Sequence, residues 1–170
     1  SLTQLPNRRL FNDRPVQAVK RAQRTSSSLA LMFVDLDKFK PVNDTYGHAA
    51  GDFMLQTLAK RLSGCLRSSD TAARVGGDEF LVLLPDIPSG ADALAVAEKI
   101  RSALAEPCIS PEGIELCISA SIGIAIYPEH ARSEHELLRL GDRAMYEAKS
   151  AGGNRVKLFS PEDGAGHSAA

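Results

Sequence analysis

Apolar residues recur along this chain in two kinds of pattern. Helical spacing is clearest in residues 49–67, "AAGDFMLQTLAKRLSGCLR", where Leu55, Leu58, Leu62, Cys65 and Leu66 form one stripe, and in residues 91–106, "ADALAVAEKIRSALAE". Residues 133–152, "SEHELLRLGDRAMYEAKSAG", predict another helix, with Ser133 and Glu136 as a capping box and glycines at its end. Residues 5–24, "LPNRRLFNDRPVQAVKRAQR", predict a helix begun after Pro6, with Leu10, Val16 and Val19 on its apolar side; Pro15 marks a new start or a kink. The stretch "KFKPVNDTYGH" mixes helix and turn signals.

Strand patterns lie between the helices. A polar turn leads into a buried strand from about Leu29 to Asp35. The run "ARVGGDEFLVLL" reads as a hairpin, its glycines free to take positive φ at the tip, and Pro85 to Gly90 read as a loop. "IELCISASIGIAIYP" predicts one long strand interrupted by Gly123 and closed by Pro128, and "NRVKLF" a short final strand. The order α, β, α, α, β-hairpin, α, β, α, β points to an α+β fold with a mainly antiparallel sheet flanked by helices. The polar stretch 160–170 reads as a flexible tail or linker after a domain spanning residues 1–159.

Composition narrows the function classes. A chain of 170 residues with 44% hydrophobic and 24% charged residues suits one soluble globular domain. A net charge of −1 supplies no general attraction to DNA, RNA or anionic lipid, which excludes a nucleic-acid wrapping surface. Cys65, Cys108 and Cys117 lack metal-site spacing and sit among apolar residues, so they read as buried small hydrophobes in a reducing, cytoplasmic setting. No apolar run approaches transmembrane length, though the piece is compatible with the cytoplasmic part of a membrane-anchored protein.

The candidate chemistry is acidic. Asp78 and Glu79 follow Gly76 and Gly77 at the hairpin tip, and as a plain turn they would simply face water. Asp35 ends an apolar strand, with Asp37 two positions on. If strand end and tip meet, their like charges are costly without a cation between them. Oxygen ligands in small number, completed by water and phosphate, suit Mg²⁺. Glycines at the tip would let a phosphate-bearing ligand approach the backbone.

The residues "RVGGDEF" match the signature of the GGDEF family of diguanylate cyclases. "LTQLPNRR", "FVDLDKFKPVNDTYGHAAGD", "SASIGIA" and "DRAMYEAKSAGGNRV" resemble that family in the same order, over about residues 2–157. The resemblance implies a five-stranded, mostly antiparallel sheet flanked by helices, like the palm of polymerases and nucleotide cyclases. It implies condensation of two GTP into cyclic di-GMP across a homodimer, with Mg²⁺, or Mn²⁺ in its place, as cofactor. By the same resemblance Asp35, the Leu36 carbonyl, Asp78 and Glu79 are the metal positions, and Asp78 or Glu79 assists deprotonation. Asn43 and Asp52 hold guanine, where a carboxylate can accept from both the ring N–H and the amino group. His48 lies nearby and is counted with the substrate-binding positions. Lys38 and Phe39 form a phosphate-facing turn, Gly76 and Gly77 curve over the GTP, and Lys149 binds triphosphate. Arg67 and Asp70, in "RSSD", match the family's inhibitory product site. One departure stands out: many relatives have arginine where this chain has Gly153. The "LTQLPNR" form further resembles chains that continue into an EAL-type phosphodiesterase domain, with sensory domains elsewhere in the protein.

Overall fold

The computed structural model describes residues 2–161; most of the expected tail, and the side chain of Leu10, lie outside the described residues. The most apolar run, Leu29–Leu36, forms β1 at the centre of a five-stranded sheet. On one side it pairs antiparallel with β3 (Glu79–Pro85), which pairs antiparallel with β2 (Thr71–Arg74). On the other it pairs antiparallel with β6 (Ala120–Tyr127), which pairs parallel with β7 (Arg155–Leu158). The order is β2-β3-β1-β6-β7, so three of four pairings are antiparallel, as the sequence pattern indicates. A small second sheet joins β4 (Cys108–Ile109) to β5 (Glu115–Leu116).

Both faces of the sheet are covered, which explains why β1 and β6 are apolar without alternation. On one face Ala30, Met32, Val34 and Leu36 pack with α3 (Phe39–Tyr46), α4 (His48–Gly64) and α5 (Gly90–Ala105). On the other, Leu29 and Leu31 pack with α2 (Asp13–Thr25) and α6 (Glu134–Ser150), with Phe33 against them. The odd-numbered positions of β1 therefore face α6, and that parity carries Asp35 to the α6 side.

Several sequence expectations are refined. A short α1 (Arg8–Phe11) precedes α2, and Pro15 lies in the first turn of α2, where its missing N–H has no helical acceptor to lose. The Lys38–His48 stretch is largely helical: Phe39–Tyr46 forms α3, with Pro41 in its first turn. The expected long strand is broken between β5 and β6, not at Gly123, which sits in the middle of β6 opposite Phe33. Cys117 lies in that break and is exposed, Cys65 is half-buried, and only Cys108 is buried as expected. The Ser133 hydroxyl caps the Glu136 N–H at 3.2 Å, while the Glu136 carboxylate accepts from Arg132 N–H rather than Ser133 N–H. No described helix is long and apolar enough to cross a membrane.

Gly123 sets how closely α6 lies on the sheet. A Cβ there would overlap the Met145 N–H and the Gly141 carbonyl oxygen, and a Cβ on Gly141 would come within 3.1 Å of the Phe33 ring. Since backbone meets backbone, neither side can yield by a rotamer change. Gly123→Ala should therefore destabilise the domain by roughly 3 kcal/mol or more. Urea unfolding of the variant against wild type measures this directly.

Candidate active site

Three neighbouring strands end in polar residues at one edge of the α6 face. Register places Asp35 of β1 directly between Glu79 of β3 and Ser121 of β6. The Leu36 N–H donates to the Asp78 carbonyl at 3.1 Å, which ties the strand end to the signature turn. Strand end and hairpin tip do meet, so Asp78 and Glu79 are not a turn facing only water.

The two acids of β1 are treated oppositely by their surroundings. Burial pushes the Asp35 carboxyl up to about 6; Lys149 opposes this, and Asp78 and Glu79 add to it. Its Oδ1 is buried without a hydrogen-bond partner. Burial also acts to raise Asp37, but four donors outweigh it and hold that carboxyl below its ordinary value. Ser119 and Ser121 hydroxyls donate at 2.6 Å each, the Asn154 N–H at 2.8 Å, and Lys149 Nζ lies 3.5 Å away. Lys149 Nζ is also 3.6 Å from Asp35 Oδ2 and donates to the Leu36 carbonyl at 3.3 Å.

These residues fit a hard divalent cation by donor chemistry. Asp35 has a spare buried oxygen, Asp78 and Glu79 act on it electrostatically, and the Leu36 carbonyl is adjacent. Among the described residues no three His, Cys, Asp or Glu side chains enclose a metal by themselves. An open set of few oxygen ligands, with water and phosphate completing the shell, is the kind Mg²⁺ accepts.

The turn itself differs from a simple glycine hairpin. Neither Gly76 nor Gly77 takes a left-handed φ, so the expected need for positive φ is not what places them. Gly76 makes room for its neighbour, since a Cβ there would come within 3.1 Å of Glu79 Oε2. Gly77 faces open space, which leaves its backbone approachable. Arg74, unassigned in the sequence reading, holds the turn: Nε donates to Gly76 O at 3.1 Å and Nη2 to Gly77 O at 2.9 Å. Its place just ahead of the two glycines was the available signal.

The other expected residues fall in two groups. Lys38 takes a left-handed φ of 56° and opens α3, whose first-turn N–H groups at Phe39 and Lys40 have no helical acceptors. The Phe39 ring is buried, so its backbone is what it can offer a ligand. Asn43 is half-buried on α3 and lies against Gly51 of α4, the residue before exposed Asp52; His48 is exposed at the start of α4. Gly153 takes φ 73°, and an added Cβ would come within 3.0 Å of the Asp37 carboxylate, so a side chain there is strained and needs Asp37 to give by a few tenths of an ångström.

Arg67 and Asp70 lie at the far end of β2 from the signature turn. Arg67 Nη2 is 3.0 Å from Asp70 Oδ1 and donates to Pro85 O at 2.9 Å, while Asp70 Oδ2 accepts the Arg67 N–H at 2.8 Å. The Asp70 side chain is 2% exposed and that of Arg67 56%, so a fixed carboxylate holds a presented guanidinium. A hollow of about 340 Å³ beside them is lined by Leu66, Ser68 and Ala72.

The raised Asp35 carboxyl has a consequence for stability. The folded state holds its proton up to about pH 6 while the unfolded chain releases it near 3.8, so stability present below pH 3.8 is lost as pH rises through about 6. Asp35→Asn, neutral at every pH, should melt higher than wild type above pH 6, by roughly 1–3 kcal/mol without metal or nucleotide, and converge with it near pH 4. Melting curves from pH 4 to 8 test this; a difference independent of pH would refute it.

Comparison with known proteins agrees with this geometry. The family model described as "Diguanylate cyclase, GGDEF domain" matches residues 1–155. Diguanylate cyclase TpbB of Pseudomonas aeruginosa is 48% identical over 149 residues, covering 88% of this chain and 34% of TpbB. MucR of the same species, a bifunctional diguanylate cyclase/cyclic di-GMP phosphodiesterase, is 48% identical over 160 residues, covering 94% of this chain and 23% of MucR. The chain thus spans only about a third or less of these relatives. The structure of TpbB's GGDEF domain superposes with TM-score 0.94 at 45% identity, covering 97% of this chain and 96% of that one. The GGDEF domain of DgcB from Caulobacter crescentus, solved in complex with c-di-GMP, superposes with TM-score 0.87 at 29% identity, covering 93% of each. With its signature turn, its sheet order and nearly its whole length in register with these proteins, the chain belongs to the GGDEF domain family.

Proposed function

We propose that this domain is a diguanylate cyclase, joining two GTP into cyclic di-GMP with release of two pyrophosphates. The observation that carries the reading is the row of acids at the ends of β1 and β3, set beside the first turn of α3 and the ammonium of Lys149. Asn43 and Asp52 read guanine, because adenine would leave the Asp52 carboxylate without its two donors. Backbone N–H groups at Lys38 and Phe39, with Lys149, take the triphosphate, and the open backbone of Gly77 lets it approach the turn.

Each domain carries one copy of the acids and one nucleotide, so the reaction needs two domains face to face. The 3′-oxygen of one GTP attacks the α-phosphorus held by the other domain, and its proton passes to Asp78 or Glu79. The bond from the α-phosphorus to the bridging oxygen breaks, and the electron pair leaves with pyrophosphate. The same step in the opposite direction closes the ring. Mg²⁺, or Mn²⁺ in its place, held by Asp35, Asp78 and the Leu36 carbonyl would neutralise charge developing on the phosphates. Arg67 and Asp70 form a separate inhibitory site, the guanidinium offering paired donors to the O6 and N7 edge of the product's guanine.

The natural setting is a larger signalling protein, with residues 1–159 as the catalytic domain beside sensory or EAL-type domains. A second reading, a nucleotide-binding regulatory module without turnover, is favoured by Gly153, which stands where the family resemblance leads to a phosphate-binding arginine.

Incubating the domain with GTP and Mg²⁺ and identifying the product by mass separates the two. Cyclic di-GMP should form, and Asp78→Asn should reduce its rate by at least about 10²-fold with unchanged melting. No product from a folded, dimerising wild type leaves the regulatory reading. Arg67→Ala should keep the initial rate but lose the slowing as product accumulates. Equal inhibition of both proteins by added cyclic di-GMP would reduce the Arg67–Asp70 pair to a surface contact.

A further inference from the structure

Gly51 stands in the first turns of α4 and is buried, with no left-handed φ to require glycine. Glycine weakens a helix at such a position, so its presence needs another reason. The space its side chain would fill supplies one. A Cβ on Gly51 would coincide with Asn43 Oδ1 and lie 2.9 Å from Asn43 Cγ, and the Phe39 ring would be 3.3 Å away. Phe39 and Asn43 are four residues apart on α3, hence on one face, and that face leans on Gly51. Gly64, in the last turn of the same helix, has nothing within 4 Å of its Cβ position, so close contact is particular to Gly51.

We propose that Gly51 is a positioning residue for base recognition: its missing side chain is the seat on which the Asn43 carboxamide rests, one residue from Asp52. The inference rests on the guanine-reading roles proposed above for Asn43 and Asp52. Any side chain at position 51 pushes Asn43 off the first turns of α4 and separates the two groups that face the base. The Phe39 ring can turn aside by the few tenths of an ångström it needs, but Asn43 Oδ1 occupies the Cβ position itself. The effect therefore falls on which base is bound more than on how tightly phosphate is held.

The test uses 3′-deoxy-GTP and 3′-deoxy-ATP with Mg²⁺; both lack the attacking hydroxyl, so calorimetry reads binding alone. Wild type, Gly51→Ala, Asn43→Ala and the double variant are compared. Gly51→Ala should bind the guanine nucleotide about tenfold more weakly with adenine binding unchanged, the size of one lost hydrogen bond. The double variant should bind like Asn43→Ala, since the seat is irrelevant once its occupant is gone. Gly51→Ala binding like wild type, while Asn43→Ala loses discrimination, overturns this inference and leaves the base-reading roles intact. Full discrimination in Asn43→Ala overturns those roles and this inference together. If Gly51→Ala alone does not fold, recovery of folding in the double variant supports the contact, and failure of both overturns it.

Discussion

One ammonium group ties the end of the central strand together. Lys149 Nζ sits between Asp35 and Asp37, within 3.6 Å of both carboxylates, and donates to the carbonyl of Leu36 between them. Two acids at a spacing of two lie on the same side of a strand and repel, and a shared cation offsets much of that cost. The sharing is unequal. Asp37 has three further donors and is held ionised, whereas Asp35 keeps an oxygen without a partner and a carboxyl raised to about 6. Two like residues in one strand thus acquire different chemistry from their surroundings: one anchors structure, and the other is left with unspent capacity for an incoming charge.

That arrangement depends on how close the helices come. Lys149 can reach β1 because α6 presses on the sheet at Gly123 and Gly141, two turns of helix earlier. Asp37 in turn gathers Ser119 and Ser121 at the start of β6 and Asn154 before β7, so the end of β1 and the starts of β6 and β7 are pinned at one point. Asp35, Glu79 and Lys149 are held by strands and a helix, and Asp37, though in a turn, is fixed by hydrogen bonds, the condition under which a site keeps its geometry. The strain of crowding acids is borne locally, at Asp35, and the surrounding core of aliphatic side chains supplies the stability that tolerates it.

The backbone at Gly153 bears on how the domain can handle phosphate. Gly153 is not merely a shorter residue; its left-handed φ and the nearness of its Cβ position to Asp37 leave little room for a side chain. Positive charge at this end of the sheet comes from Lys149, from Arg74 on the signature turn, from Arg155, whose Nε donates to the Gly153 carbonyl at 3.1 Å, and, at the start of α3, from Lys38.

Local pattern by itself determined α4, α5 and α6, because their apolar stripes are long, and it determined the buried character of β1 and the acids at both the strand end and the turn; α3, with mixed helix and turn signals, it left open. The ordered motifs also determined family and expected site residues. Tertiary structure decided what period and propensity do not encode. It broke the run 114–128 before β6 and left Gly123 inside the strand, because the constraint on Gly123 is a helix backbone far away in sequence. It assigned Gly76 to the Glu79 side chain instead of to turn conformation, and exposed Cys117 where the strand pauses. Above all it decided which acid is anchored and which is spare. Asp35 and Asp37 read alike in the chain; only pairing with β6, the turn before β7 and the reach of Lys149 supply different donors to each, and donors contributed by distant segments are written in no local stretch of sequence.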